Sequence, residues 1–280
     1  METTGLTVLA MVAFAANSLL CRAALAGGYV DAASFTTIRL TSGALALGLL
    51  ARVRDHQPSA RTAPWGSAVA LFAYAIAFSL AYDRVSAGIG ALLLFTAVQL
   101  TMIGAGLHAG ERPPRLEWIG LALSIAGLVT LTRPGLSRPD PAGALLMLAA
   151  GAAWGVYSLR GRRGGDAVAT NASGFMHAMP LTLGVSALAA LTGAIHLTTT
   201  GTLLALASGA ITSGLGYAVW YAALRGLTAT RAAIVQLSVP PLAALGGVVV
   251  LGESFSTRLA IASVLILGGI ALAIVSGQRK

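Results

Sequence analysis

Apolar runs of about twenty residues recur along this chain, and short stretches rich in Arg, Pro, Gly and Asp separate them. A helix rising about 1.5 Å per residue needs roughly that length to cross the hydrocarbon core of a bilayer. The pattern predicts ten spans, near 4–24, 32–51, 64–83, 86–108, 117–132, 142–160, 168–191, 202–224, 229–251 and 259–277. No polar stretch between them has the length of a separate soluble domain, so the expected architecture is an all-α integral membrane bundle of ten transmembrane helices. One span breaks its own pattern. The stretch AAIVQLSVPPLAALGGVVVLGE, from Ala232 to Glu253, is apolar enough to cross but carries Gln236, Ser238, Pro240 and Pro241 near its centre. Each proline removes a backbone donor in a solvent that offers no replacement. From Thr228 to Pro240 the helix would rise about 18 Å, slightly past the bilayer middle. A break there is expected to serve as a hinge beside a solute path; a static kink packed against neighbours is the competing reading.

Composition agrees with the pattern. Of 280 residues 56% are hydrophobic and 10% charged, with mean hydropathy +0.82, whereas a soluble domain carries about 25% charged residues. The net charge of +9 does not indicate nucleic acid, because the arginines lie between apolar runs rather than on one face of a polar domain. They report topology instead. With the N-terminus in the cytoplasm, about twelve Lys and Arg fall inside and five outside, and Arg39 stands within a span. Both termini are therefore expected in the cytoplasm. The single cysteine, Cys21, excludes an intrachain disulfide. The first apolar run lacks the basic segment of a signal peptide and is expected to remain as a helix.

The two halves of the chain repeat each other weakly. Val85 opens VSAGIGALLLFTAVQLTMIGAGLHAGE and Leu227 opens LTATRAAIVQLSVPPLAALGGVVVLGE; an offset of roughly 142 aligns Ser86 with Thr228, Gly110–Glu111 with Gly252–Glu253, and Gly127 with Gly269. FAANSLLCR at Phe14 matches WGVYSLRGR at Trp154 more loosely. Five spans per half is an odd number, so the second half enters from the opposite side, as in transporters built from inverted repeats. The expected division is 1–137 for the first repeat and 138–280 for the second.

A five-helix repeat whose small-residue-rich fourth helix ends in Gly-Glu resembles the EamA-type transporters of the drug/metabolite transporter superfamily. The similarity runs over nearly the whole chain and is strongest in GYAVWYAALRGLTATRAAIVQLSVPPLAALGGVVVLGE. The first half departs from the pattern, with Val98–Gln99 where the second has Pro240–Pro241. The resemblance implies a bacterial inner-membrane protein that exports amino acids and related metabolites without a cofactor.

Individual residues refine this expectation. Tyr74, Phe78 and Tyr82 share a face of the third span, and Tyr217, Trp220 and Tyr221 a face of the eighth. They are expected to form aromatic gates around a central cavity, with an interfacial aromatic belt as the alternative. Asn17, Gln99, Asn171, His177 and Gln236 are the polar groups within spans, and Trp154 and Tyr157 offer a stacking surface on the sixth. Neutral amides suit a zwitterion or a polar–apolar metabolite; alone, each more often ties helices together. Gly88 and Gly214 join Pro240 and Pro241 as expected hinge or gate positions. His177 would carry a proton near neutral pH, or hold a structural hydrogen bond. Arg39 would meet a solute carboxylate or phosphate, or snorkel to the outer headgroups. All nine acidic residues lie at span ends or in loops, which disfavours the intramembrane carboxylate that proton-coupled cation efflux uses.

The expected substrates are amino acids over a broad range, hydrophobic and aromatic ones favoured, together with related small metabolites, moved by a chain that acts as a monomer with membrane lipid around it. An exporter of another metabolite or drug with proton coupling stands as the alternative. An intramembrane enzyme built on Ser173 and His177 stands further off, since no third residue orients the base. No metal or phosphate motif occurs: two candidate ligands, His108 and Glu111, make a weak site, and GRRGGD at Gly161 lacks the required Lys-Ser/Thr.

Overall fold

A computed structural model describes residues 2–53, 65–82, 84–85, 87–132, 140–162, 166–251 and 257–277. Among them the fold is helical, and extended pairing is confined to an isolated bridge between Val30 and Leu197. The helices are α1 (Glu2–Leu25), α2 (Ala32–Val53), α3 (Trp65–Tyr82), α4 (Ala87–His108), α5 (Arg115–Thr132), α6 (Pro141–Gly161), α7 (Ala167–Leu191), α8 (Thr199–Ala207), α9 (Gly216–Leu224), α10 (Ala229–Gln236), α11 (Val239–Leu251) and α12 (Thr257–Gly277). A π segment, Ser208–Leu215, joins α8 to α9. Six spans, among them the combined Thr199–Leu224, are long and apolar enough to cross a membrane. With the shorter apolar helices they fit a ten-span membrane protein. Leu45, Leu100, Leu145, Val249 and Val264 stand exposed on the outside, where hydrocarbon rather than water is their natural solvent.

Helix ends follow local chemistry. Asp140 accepts from the Gly143 N–H at the start of α6, and Asp166 accepts from Ala169 at the start of α7, both at 2.7 Å. Asp31 takes the Ser34 N–H at 2.9 Å and reaches the His196 N–H at 2.9 Å, which ties the α1–α2 turn to the α7–α8 turn. These caps satisfy donors that a helix start leaves unpaired.

The expected break in the ninth span is present, three residues earlier than its prolines. α10 ends at Gln236, Leu237 and Ser238 form a turn, and α11 starts at Val239. Pro240 and Pro241 thus fall in the first turn of α11, where a missing N–H leaves no intrahelical bond undone. Both are buried. The eighth span holds a break of another kind, the π segment, which hydropathy does not reveal.

Lipid gives helices little hydrophobic reason to associate, so close packing through small residues takes over. α5 pairs with α12, α6 with α3 and α4, and α2 with α7 and the π segment, while α1 packs on α9, α11 and the π segment. The tightest approach lies between α2 and the π segment at Gly43, Gly209 and Gly214. A side chain on Gly209 would run into the Arg39 carbonyl and the Ser42 hydroxyl, and one on Gly214 would sit 3.1 Å from the Gly43 carbonyl. At the α5–α12 seam Ser124 donates to the Ile266 carbonyl at 3.2 Å.

Candidate functional site

Two aromatic faces converge where these broken elements meet. On α3 the rings of Tyr74 and Phe78 lie 5.5 Å apart and those of Phe78 and Tyr82 4.6 Å apart. The α9 set does not stand apart from them. Tyr74 lies 5.0 Å from Trp154, Trp154 lies 4.7 Å from Tyr217, and Tyr157 lies 5.1 Å from Tyr221. The result is one connected ladder from Tyr82 to Tyr221. Trp220 joins through Phe14 at 5.7 Å, and Phe175 meets Tyr217 at 5.8 Å. Sequence reasoning had not singled out Phe14 or Phe175. Phe14 opens the FAANSLLCR stretch that echoes the Trp154 region, a signal that was available.

The centre of the ladder is charged, not neutral. Arg39 is fully buried, about 10 Å of helix from the start of α2. Its Nε donates to the Ser213 hydroxyl at 2.8 Å, and its Nη2 donates to the hydroxyls of Tyr217 at 2.5 Å and Tyr74 at 3.3 Å. The guanidinium carbon stands 5.3 Å from the Tyr74 ring centre and 5.9 Å from that of Phe78, within cation–π range. Nη1 has no partner among the described residues. The side chain turns inward among these groups rather than out toward the headgroups, the other outlet its place in α2 allowed.

The π segment explains how Arg39 finds Ser213. At 3.6 residues per turn, five residues would leave Ser213 about 140° around the helix from Ser208. The wider π turn brings residues five apart nearly into line. Ser208, Thr212 and Ser213 thereby all reach the Asn17 carbonyl oxygen, at 2.7, 3.1 and 3.5 Å. Asn17 ties α1 to the π segment, and Gly214 sits against Gly43 across the same seam.

The other amides also tie helices together. Trp154 donates from its indole to Gln236 Oε1 at 2.6 Å, which fastens α6 to the residue just before the α10–α11 break. Gln236 Nε2 donates to the Ala232 carbonyl at 3.0 Å. Gln99 donates to the Ala233 carbonyl at 2.7 Å, and its Oε1 has no partner among the described residues. Tyr157 donates to Asn171 at 2.6 Å, and Trp220 to Ser158 at 3.1 Å. His177 is placed differently, with its ring 5.3 Å from that of Trp65 at the start of α3. Its Nδ1 lies 2.7 Å from the Ser173 carbonyl and 3.3 Å from the Ser173 hydroxyl. A carbonyl only accepts, so Nδ1 carries the proton and is no base for Ser173. Gly88 lies in the first turn of α4, and its surroundings fall outside the described residues, as does Glu253.

Glu111 anchors the start of α10. It accepts from the Ala229 N–H at 2.8 Å and the Thr230 N–H at 3.1 Å, and Arg162 stands 3.5 Å away. Burial pushes its carboxyl pKa up, but these donors, the Thr230 hydroxyl and Arg162 outweigh burial and hold it below the usual value. Stability from a depressed carboxyl is present above its unfolded pKa, about 4.3, and is lost as pH falls through the lower folded value. Glu111→Gln is therefore expected to cost about 1–2 kcal/mol at pH 7, the scale of a helix cap. Melting of the purified protein between pH 7 and pH 3 checks this: the variant should lose less on acidification than the parent.

The chain is 53% identical to an uncharacterized protein of Pseudomonas aeruginosa, over 97% of this chain and 94% of that one. It is 31% identical to the threonine/homoserine exporter RhtA of Escherichia coli, over 64% of this chain and 59% of that protein. A solved crystal structure covering 98% of its own chain and 99% of this one has a TM-score of 0.79 at 22% identity, a likeness that shows the fold. The EamA-like transporter family matches residues 4–133 and again residues 141–275. Those two stretches leave little of the chain unmatched, and together with the helical membrane fold they point to transport: the chain belongs to the EamA-like transporter family.

Proposed function

We propose that this small-molecule transporter exports amino acids and related metabolites from a bacterial inner membrane. Hydrophobic and aromatic amino acids are favoured, and both chain termini lie in the cytoplasm. Transport proceeds by alternating access between two inverted repeats, 1–137 and 138–280, within one chain. The observation that carries the reading is the junction of both interrupted spans on a buried aromatic ladder. The π segment meets it through Ser213 and Arg39, and the α10–α11 break meets it through Gln236 and Trp154. Irregular backbone at membrane depth is tolerated where it lines a path rather than lipid. A relative named as a threonine/homoserine exporter supports the amino-acid class.

Two features support inversion. Exchanging the halves turns the α3–α6 contact into the contact of α1 with α8, the π segment and α9, and turns α4–α6 into α1 with α10 and α11, all of which occur. Ser124 and Ile266 are 142 positions apart, the repeat offset, and they touch each other. Repeat mates meet only on the axis that relates the two halves.

Counterflow in proteoliposomes tests the function. Vesicles preloaded with unlabelled amino acids and given tracer threonine, homoserine or phenylalanine outside, without an ion gradient, should accumulate tracer. Absence of accumulation for every amino acid, in vesicles containing folded protein, would overturn the amino-acid reading.

A further inference from the structure

We propose that Arg39 is the docking point for a carboxylate on the transported solute. This deepens the transport reading and rests on it. A guanidinium has five N–H donors and stays protonated at any physiological pH. Ser213, Tyr74 and Tyr217 take three of them, through Nε and Nη2, and the two on Nη1 are buried and unspent among the described residues. Every one of those partners is a neutral hydroxyl. They orient the guanidinium but leave its charge uncompensated inside the bundle, where an unpaired charge is expensive.

No described carboxylate serves as its counter-ion. Asp31, Asp140 and Asp166 cap α2, α6 and α7. Glu111 caps α10, and Glu117 pairs with Arg231 at 2.9 Å. The missing negative charge is then one that arrives and leaves, which is what a carrier requires of a ligand it must release. A fixed carboxylate would occupy Nη1 permanently.

The surroundings select the anion. The rings of Tyr74 and Phe78 flank the guanidinium, so the group attached to the anion meets aromatic surface. One cation with a single free terminal nitrogen matches a monoanion. A phosphate dianion would exchange an uncompensated positive charge for an uncompensated negative one. The ligand class is a monocarboxylate with an apolar or amphipathic body, which includes amino acids.

Competition against counterflow tests this, with acids, their amides and esters, and inorganic phosphate as competitors. Free amino acids should compete in the parent protein. Their amides and methyl esters should compete roughly 100-fold less well, the loss expected when one partner of a buried charge pair is removed. Arg39→Gln should lose counterflow by a similar factor while melting no lower than the parent, because it removes an uncompensated charge. Arg39→Lys, which keeps the charge but not the planar fork, should recover part of it. Equal competition by amides, or undiminished transport by a folded Arg39→Gln, would overturn the anchor while leaving transport intact. Competition by phosphate in place of carboxylates would overturn the carboxylate class. If no amino acid exchanges at all, melting in millimolar acetate, benzoate and phosphate decides separately. Stabilisation of the parent by the carboxylates and not of Arg39→Gln upholds the anchor, and no difference between the two overturns it.

Discussion

Gly209→Ala is expected to cost the protein roughly 3 kcal/mol or more, at the upper end of overpacking penalties. The added carbon would run into the Arg39 carbonyl and the Ser42 hydroxyl, with the Arg39 Cα 2.7 Å away. Two of these three atoms are backbone, so no rotamer change relieves the contact, and α2 must move off the π segment. That movement would separate Arg39 from Ser213 and withdraw Asn17 from the Ser208–Thr212–Ser213 cluster. Transport is expected to fail together with stability. Gly48→Ala on α2, the helix that Gly209 abuts, is the control. Nothing lies within 4 Å of its Cβ position, and alanine gains up to about 1 kcal/mol over glycine in a helix interior. Melting of the two purified variants beside the parent separates a packing contact from a general intolerance of α2 to change; equal melting of both would remove the close-approach argument.

Pro240→Ala with Pro241→Ala is expected to stabilise the protein and to slow it. Alanine restores two N–H groups, which would reach back four residues to the carbonyls of Gln236 and Leu237 and let α10 continue into α11. It also removes the proline rings, which would clash with those carbonyls only if the helix ran on without a break. Closing the break would rotate Gln236 relative to α11 and strain its 2.6 Å bond with Trp154. The Trp154 ring stands between Tyr74 and Tyr217 in the ladder, so a repaired helix would also stiffen the site. Higher melting with slower exchange would mark the break as a working hinge.

Membrane spans were legible in the sequence because bilayer thickness fixes their length, and Leu, Val and Ala fill that length almost without interruption. The break in the ninth span was legible for a related reason: proline states its backbone consequence directly. Its position shifted from Pro240 to Leu237–Ser238 because prolines prefer the first turn of the following helix to the turn itself. The π segment was not legible, since Ser208–Leu215 has no breaker of its own and takes its form from the contact of Gly209 and Gly214 with α2. Spacing placed Tyr74, Phe78 and Tyr82 on one face, but could not say that Tyr217 of α9 would meet them. Arg39 illustrates the same limit. Seven residues into its helix it had two outlets, toward headgroups or toward the centre, and rotation of α2 about its axis decides between them. That rotation is set by Gly43 packing on Gly209 and Phe175, a tertiary fact. The amides were found by composition, yet their fixed partners at Ala233, Trp154 and the Ser208 cluster make most of them ties between helices.

A solute moving beside the ninth helix would explain why that helix is broken. The most direct measurement is the initial counterflow rate of the Pro240→Ala/Pro241→Ala variant, at equal amounts of folded protein, against the parent. With a solute moving beside the break, the rate should fall at least tenfold, about 1.4 kcal/mol on the transport barrier, while the melting temperature stays at or above that of the parent. An unchanged rate in a protein of equal or greater stability would contradict it, and the prolines would then mark a static kink.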